Sequence, residues 1–85
     1  MPSKKKIDQV WDKGRKIRGR NPNLWRKDDF DNRMYKPAYG TGGNTGWEID
    51  HKKPKVKGGS DALSNLRPLN TEKNRQRGAK QRRRK

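Results

Sequence analysis

The sequence predicts a small α+β domain, a strand–loop–strand–helix unit of roughly thirty residues behind a short helical and aromatic segment, with basic ends. Three observations predict it. Trp47-Glu-Ile-Asp-His51 alternates as a short strand does, with Trp47 and Ile49 on one face, and Lys52-Lys53-Pro54 stops it. A loop with Gly58-Gly59 at its tip leads to Leu63-Ser-Asn-Leu-Arg-Pro-Leu69, whose leucines suggest a second short strand. Asn70 or Thr71 then offers an N-cap for a helix running from about residue 72 towards Gly78.

Upstream, Ile7, Val10 and Trp11 sit at i, i+3 and i+4, the spacing of a short helical face, and Gly14 is expected to end that helix. Residues 18–24 read as a loop, with Asn21-Pro22 as its turn signal. Residues 25–39 show no clean period and receive no assignment. Tyr39-Gly-Thr-Gly-Gly-Asn-Thr-Gly46 reads as a flexible connection separating the N-terminal part from the rest. Trp11, Trp25, Phe30, Tyr35, Tyr39 and Trp47 are read as core, because large aromatics bury the most area in a chain this small.

Composition narrows the functions. Eighty-five residues give one small domain, and a chain of that size is marginal without a staple or ligand. There is no cysteine, which removes disulfides, zinc ribbons, thiol nucleophiles and redox motifs. No apolar pair extends into a third residue, so a membrane span or export segment is not expected, and the setting is read as a cytoplasm, bacterial or phage-encoded. Net charge is +16, yet residues 7–74 hold 15 basic and 9 acidic side chains, an ordinary mildly basic globule. The excess lies in Lys4-Lys5-Lys6 and in the seven basic residues from Arg75 to Lys85. A polyanion is the natural partner for such a molecule. An acidic membrane fits less well, because no long amphipathic stripe accompanies the charge.

One residue dominates the chemistry. His51 is the only histidine, and imidazole is the usual general base near neutral pH. Alone it is a weak signal. Hydrolysis of a phosphodiester needs a water to lose its proton and a cation to neutralise charge at phosphorus, and Asp50 offers a hard carboxylate beside His51. Regular strand alternation would put the two on opposite faces, so the chain is expected to turn at Lys52-Lys53-Pro54 and let them share a site.

These residues carry a resemblance. Asp50-His51, Asn65 fourteen residues beyond His51 and Asn74 nine beyond Asn65 resemble the HNH nuclease motif in its H-N-N form. Pro54, Gly58-Gly59-Ser60-Asp61, Leu63-Ser-Asn-Leu-Arg67-Pro-Leu69 and Asn74-Arg75-Gln-Arg77-Gly78 agree with it. The motif covers residues 47–78. A looser likeness through Val10-Trp11, Gly14-Arg15, Trp25-Arg26-Lys27-Asp28 and Tyr39-Gly40 extends towards small stand-alone members of that family.

The resemblance implies the ββα-metal fold, two antiparallel strands and a helix around one divalent cation. It makes His51 the base that activates water, Asp50 and Asn74 the metal ligands, and Asn65 the residue that holds the loop so that His51 faces the scissile phosphate. Oxygen donors suit Mg²⁺ or Mn²⁺. Asn74 stands where many relatives have a third-motif His, which argues against zinc or nickel. Many relatives also carry paired CxxC zinc sites, so the aromatic segment must stabilise this chain instead. The expected organisation is a basic tail at 1–6, an extension at 7–46 packing on the nuclease core, the motif at 47–78 and a basic tail at 79–85. Lys52, Lys53, Lys55, Lys57, Arg67, Arg75 and Arg77 are candidates for binding phosphates that flank the cut, with little base information. Arg67 and Arg75 are further candidates for stabilising transition-state charge.

The leading expectation is a metal-dependent endonuclease acting on double-stranded DNA, nicking or cutting with weak sequence preference unless a protein partner supplies it. A non-catalytic basic nucleic-acid-binding protein on the same fold is the alternative, separated from it by plasmid cleavage in Mg²⁺. An interaction protein whose basic ends bind acidic partners is the third, and it would show no salt-sensitive affinity for DNA.

Overall fold

The computed structural model describes residues 2–76, so Arg77 and the tail at 79–85 lie outside the described residues. Helix α1 (Lys4–Trp11) starts where the Ser3 hydroxyl accepts from the Lys6 N–H at 3.1 Å, satisfying an amide that has no partner within the helix. Its inward face buries Val10 and Trp11 completely, with Ile7 packed alongside. The helix ends at Asp12, ahead of Gly14, and Gly14 lies in the turn that follows, its N–H donating to the Trp11 carbonyl.

Three short strands come next: β1 (Arg15–Lys16), β2 (Trp25–Lys27) and β3 (Arg33–Tyr35), antiparallel in that order. Two of them, β2 and β3, lie in the stretch that shows no period in the sequence. The loop before β2 is a turn as expected, with the Asn21 side chain accepting from the Asn23 N–H. Two charged side chains are buried here. Arg26, 7% exposed, donates to the carbonyls of Pro22, Asp12 and Gly14, each near 3.0 Å. Its guanidinium thus collects carbonyls that the helix end and the following turn leave over. Asp28, 1% exposed, accepts from the Phe30 and Asn32 N–H groups at 2.9 Å and shapes the β2–β3 hairpin turn.

The second sheet is β4 (Trp47–His51) against β5 (Leu66–Asn70), with Trp47 opposite Asn70 and His51 opposite Leu66. Strand β5 starts later than the leucine spacing suggests, because Leu63–Asn65 form a 3₁₀ turn. Residues 71–76 are helical and belong to helix α2. Asn70 is its N-cap, accepting from the Lys73 N–H at 3.1 Å. The same side chain donates to the carbonyls of Arg33 and Asn44, and its backbone N–H donates to Asp28 at 3.0 Å. The start of α2 is thereby pinned to the first sheet.

The core is Val10, Trp11, Met34, Trp47 and Leu66, drawn from α1 and both sheets. The Trp11 and Trp47 rings lie 5.0 Å apart, and Tyr39 meets Trp47 edge-on at 4.9 Å. Each indole N–H finds a carbonyl, Pro22 for Trp11 and Lys36 for Trp47. The aromatic expectation holds for these and fails for Phe30, which is half exposed. The glycine-rich stretch is also a correction. It is a knit loop, since Thr45 accepts from the Tyr35 N–H, Gly40 donates to Trp47 and Gly46 accepts from the Thr71 N–H. A Cβ on Gly46 would stand 2.1 Å from the Thr41 carbonyl oxygen, so the close turn needs a residue without one. Among the described residues, no helix is long and apolar enough to cross a membrane.

Candidate active site

Strand alternation divides the site between two faces of β4. Glu48 and Asp50 project to one face, and Trp47, Ile49 and His51 to the other. His51 is still paired with Leu66, so the strand runs through it and the turn begins only at Lys52. The turn falls at Lys52-Lys53-Pro54 as expected, but it comes after His51 and leaves Asp50 and His51 on opposite faces. The backbone ladder holds them there: the Lys52 N–H also donates to the Asn65 carbonyl at 2.8 Å, extending the pairing by one residue.

On the first face, the Arg67 Nε donates to Asp50 Oδ2 at 2.9 Å, with both side chains mostly shielded from water. A second arm of Arg67 reaches Asp29 at 3.5 Å, and its guanidinium lies 5.2 Å above the Phe30 ring. Arg67 is thus the counter-ion of Asp50 rather than an open surface cation. Asn74, on α2, donates through Nδ2 to Glu48 Oε1 in a short contact. Among the described residues that bond leaves the Asn74 carbonyl oxygen available, and Arg67 takes one Asp50 oxygen, Oδ2. Two carboxylates two residues apart and a facing amide make a set of hard oxygen donors. This set fits a divalent cation of the Mg²⁺ class and does not fit one that prefers sulfur or imidazole. Among the described residues, no three His, Cys, Asp or Glu side chains cluster as a metal cage.

On the second face, His51 lines an open pocket of about 430 Å³ with Ile49, Leu66, Lys6, Lys55 and Asp61. Its Nε2 lies 2.7 Å from Asp61 Oδ1, and the Lys55 ammonium lies 3.4 Å from Asp61 Oδ2. The hydrogen bond from His51, then Lys55, holds the Asp61 carboxyl below the usual carboxylate range.

Asn65 sits between these residues and the loop. Its Oδ1 accepts from the Lys53 N–H at 2.9 Å, and its Nδ2 donates to the carbonyls of Lys53 and Ser60 at 3.1 and 2.7 Å. One side chain thus closes both ends of residues 53–60. The tip needs its glycines: Gly58 has φ +88°, and a Cβ on Gly59 would fall 1.8 Å from the Lys53 carbonyl oxygen. Lys52, Lys53, Lys55 and Lys57 are exposed around this loop, and Arg75 is exposed on α2.

A family model for HNH endonucleases matches residues 38–80, half of the chain. The chain belongs to the HNH endonuclease family. The matched span begins nine residues before β4, so it takes in the knit glycine-rich loop as well as the hairpin and α2. No curated protein and no solved structure matches. Membership makes the chain a nuclease by family, points to nucleic acid as the substrate, and brings the divalent-metal chemistry that HNH nucleases generally use. The mixed helix and antiparallel-sheet architecture agrees with an HNH domain.

Glu48 and Asp61 are the two site neighbours that sequence reasoning missed. The signal for Glu48 was its alternation with Asp50, two residues along one strand face. Asp61 stands in the Gly58-Gly59-Ser60-Asp61 run that agrees with the motif, but nothing in that run pairs it with an imidazole across nine intervening residues.

Proposed function

We propose that this HNH protein is a metal-dependent endonuclease that hydrolyses phosphodiester bonds of double-stranded DNA, with weak intrinsic sequence preference. The observation that supports it best is the placement of an oxygen-donor set, Asp50 with Asn74 and Glu48, on one face of β4 and the sole imidazole at the adjacent position on the other. Beyond Trp47, the outer edge of β4 has no strand partner among the described residues. A phosphodiester lying across that edge meets carboxylates from one side and His51 from the other.

Asp50 and Asn74 would hold one divalent cation, Mg²⁺ or Mn²⁺, with Glu48 as a neighbouring donor. When bound, such a cation supplies charge neutralisation at the phosphate. His51 removes a proton from the attacking water. Asn65 holds the loop that carries Lys53, Lys55 and Lys57, and these with Lys52, Arg75 and Arg77 bind the flanking phosphates. Arg67 orients the Asp50 carboxyl by its hydrogen bond. Sequence preference is weak unless a protein partner supplies it.

Plasmid DNA incubated with the protein and Mg²⁺ or Mn²⁺ tests the reading. Nicks or breaks are expected, and EDTA or Asp50→Ala should abolish them. His51→Ala should lower the rate about 10²–10⁴-fold, the usual contribution of a general base, with little change in DNA affinity. Wild-type turnover in His51→Ala, or full activity in EDTA, would remove the mechanism.

A further inference from the structure

Asp61 is an exposed loop residue, yet the backbone around it is tied down from three other parts of the molecule. Asn65 takes the Ser60 carbonyl at 2.7 Å. Lys6 of α1 donates to the carbonyl of Asp61 itself at 2.8 Å. Lys13, just past α1, donates to the carbonyls of Leu63 and Leu66, and burial pushes its ammonium pKa down. Between these tethers, Asp61 presents Oδ1 to His51 Nε2 at 2.7 Å while Lys55 stands against Oδ2. A casual surface ion pair contributes little and has no such support.

We propose that Asp61 is the positioning residue of the general base: it accepts the Nε2–H of His51, fixing the ring's tautomer and orientation so that Nδ1 carries the lone pair that takes the proton from water. The proposal rests on the reading above that His51 is the base. A ring nitrogen bound to a carboxylate sets which of the two nitrogens is protonated. Ile49 and Leu66 line the same pocket and bound the space in which the ring can turn. The chemical step stays balanced. Water gives its proton to Nδ1, its oxygen bonds to phosphorus, the bond to the departing sugar oxygen breaks, and that oxygen takes a proton from solvent. Asp61 stays ionised throughout.

Because His51 is the only histidine, its imidazole can be read without assignment ambiguity by ¹⁵N-resolved NMR on the free, full-length protein. Wild type should show a slowly exchanging Nε2–H signal, and Asp61→Ala should lose it. In the plasmid assay, Asp61→Ala should lower kcat about 10–100-fold, as displaced orienting groups do, with KM within about twofold. Asp61→Glu, which restores the carboxylate one methylene further out, should recover part of the rate. An absent Nε2–H signal in wild type, or an unchanged or raised kcat in Asp61→Ala, overturns the proposal while leaving the nuclease reading intact. If Asp61→Ala fails to fold, the wild-type signal and the Asp61→Glu rate decide the matter. Wild-type protein that shows the signal but cuts no DNA would instead count against the nuclease reading alone.

Discussion

Replacing Asp28 by alanine is the most informative test of how this fold holds its site. The carboxylate is 1% exposed and accepts from the N–H groups of Phe30, Asn32 and Asn70 and from the Asn32 amide. The Asn70 N–H is buried, so losing its charged acceptor costs about 1–3 kcal/mol. The donors of Phe30 and Asn32 lie nearer the surface, where water replaces part of the loss, and we assign them about 0.5–1 kcal/mol each. The total is about 3 kcal/mol. A chain of this length has about 4–13 kcal/mol of stability in all, so the variant sits near the folding threshold. At about 4–8 °C per kcal/mol for a domain this small, Tm should fall by about 12–24 °C. Thermal unfolding followed by circular dichroism reads this directly, with urea melts as a check that the slope is unchanged. A fall of less than about 5 °C would refute the view that Asp28 joins the first sheet to the start of α2.

Other consequences are equally direct. Gly59→Ala should disrupt the loop and sharply reduce cleavage, because the added Cβ would meet the Lys53 carbonyl at 1.8 Å; wild-type activity in that variant would contradict the loop geometry. The Asp8 carboxyl is held below its usual range chiefly by its hydrogen bond with Lys36, against the opposing effect of burial, with Lys4 adding a lesser pull. A depressed folded-state pKa contributes stability above the unfolded value, near 3.8, that is lost as pH falls through the folded value. The Tm gap between wild type and Lys36→Gln should therefore shrink as pH drops below that value, and a gap constant to pH 2 would exclude the pairing. Affinity for duplex DNA in Ca²⁺ should fall steeply with salt, with a log–log slope of about −4 to −5 if about five phosphates are engaged. Deleting residues 79–85 should flatten that slope, and an unaltered slope would show that the tail binds no phosphate.

What could be read in the sequence follows from which forces act locally. Strand β4 was legible because Trp47 and Ile49 alternate with polar residues, and the α2 cap because Asn70 stands directly before the helical stretch. Leu63 misled: it belongs to the same leucine-containing run as Leu66 and Leu69, but its carbonyl is claimed by Lys13 from fifty residues away. The stretch from Trp25 to Tyr39 was illegible because its strands are three residues long and its decisive side chains, Arg26 and Asp28, are charged residues inside the protein. Hydrophobic pattern cannot register a buried guanidinium whose partners are carbonyls. At the candidate site, motif spacing singled out Asp50, His51, Asn65 and Asn74. Their partners depend on register and on chain segments far apart in sequence, and no spacing encodes those.

The reach of Lys6 and Lys13 to carbonyls fifty or more residues away sets the order in which the molecule can assemble. Contacts of such separation form only after the entropy of closing a long loop has been overcome, so they belong late in folding. The segment carrying Asp61 therefore acquires its shape when α1 docks. On a ribosome this order is imposed by synthesis, since α1 emerges first and waits for its acceptors. On the nuclease reading proposed above, the centre stays incomplete until the chain has been made as far as Asn74, so shorter nascent pieces hold no complete site.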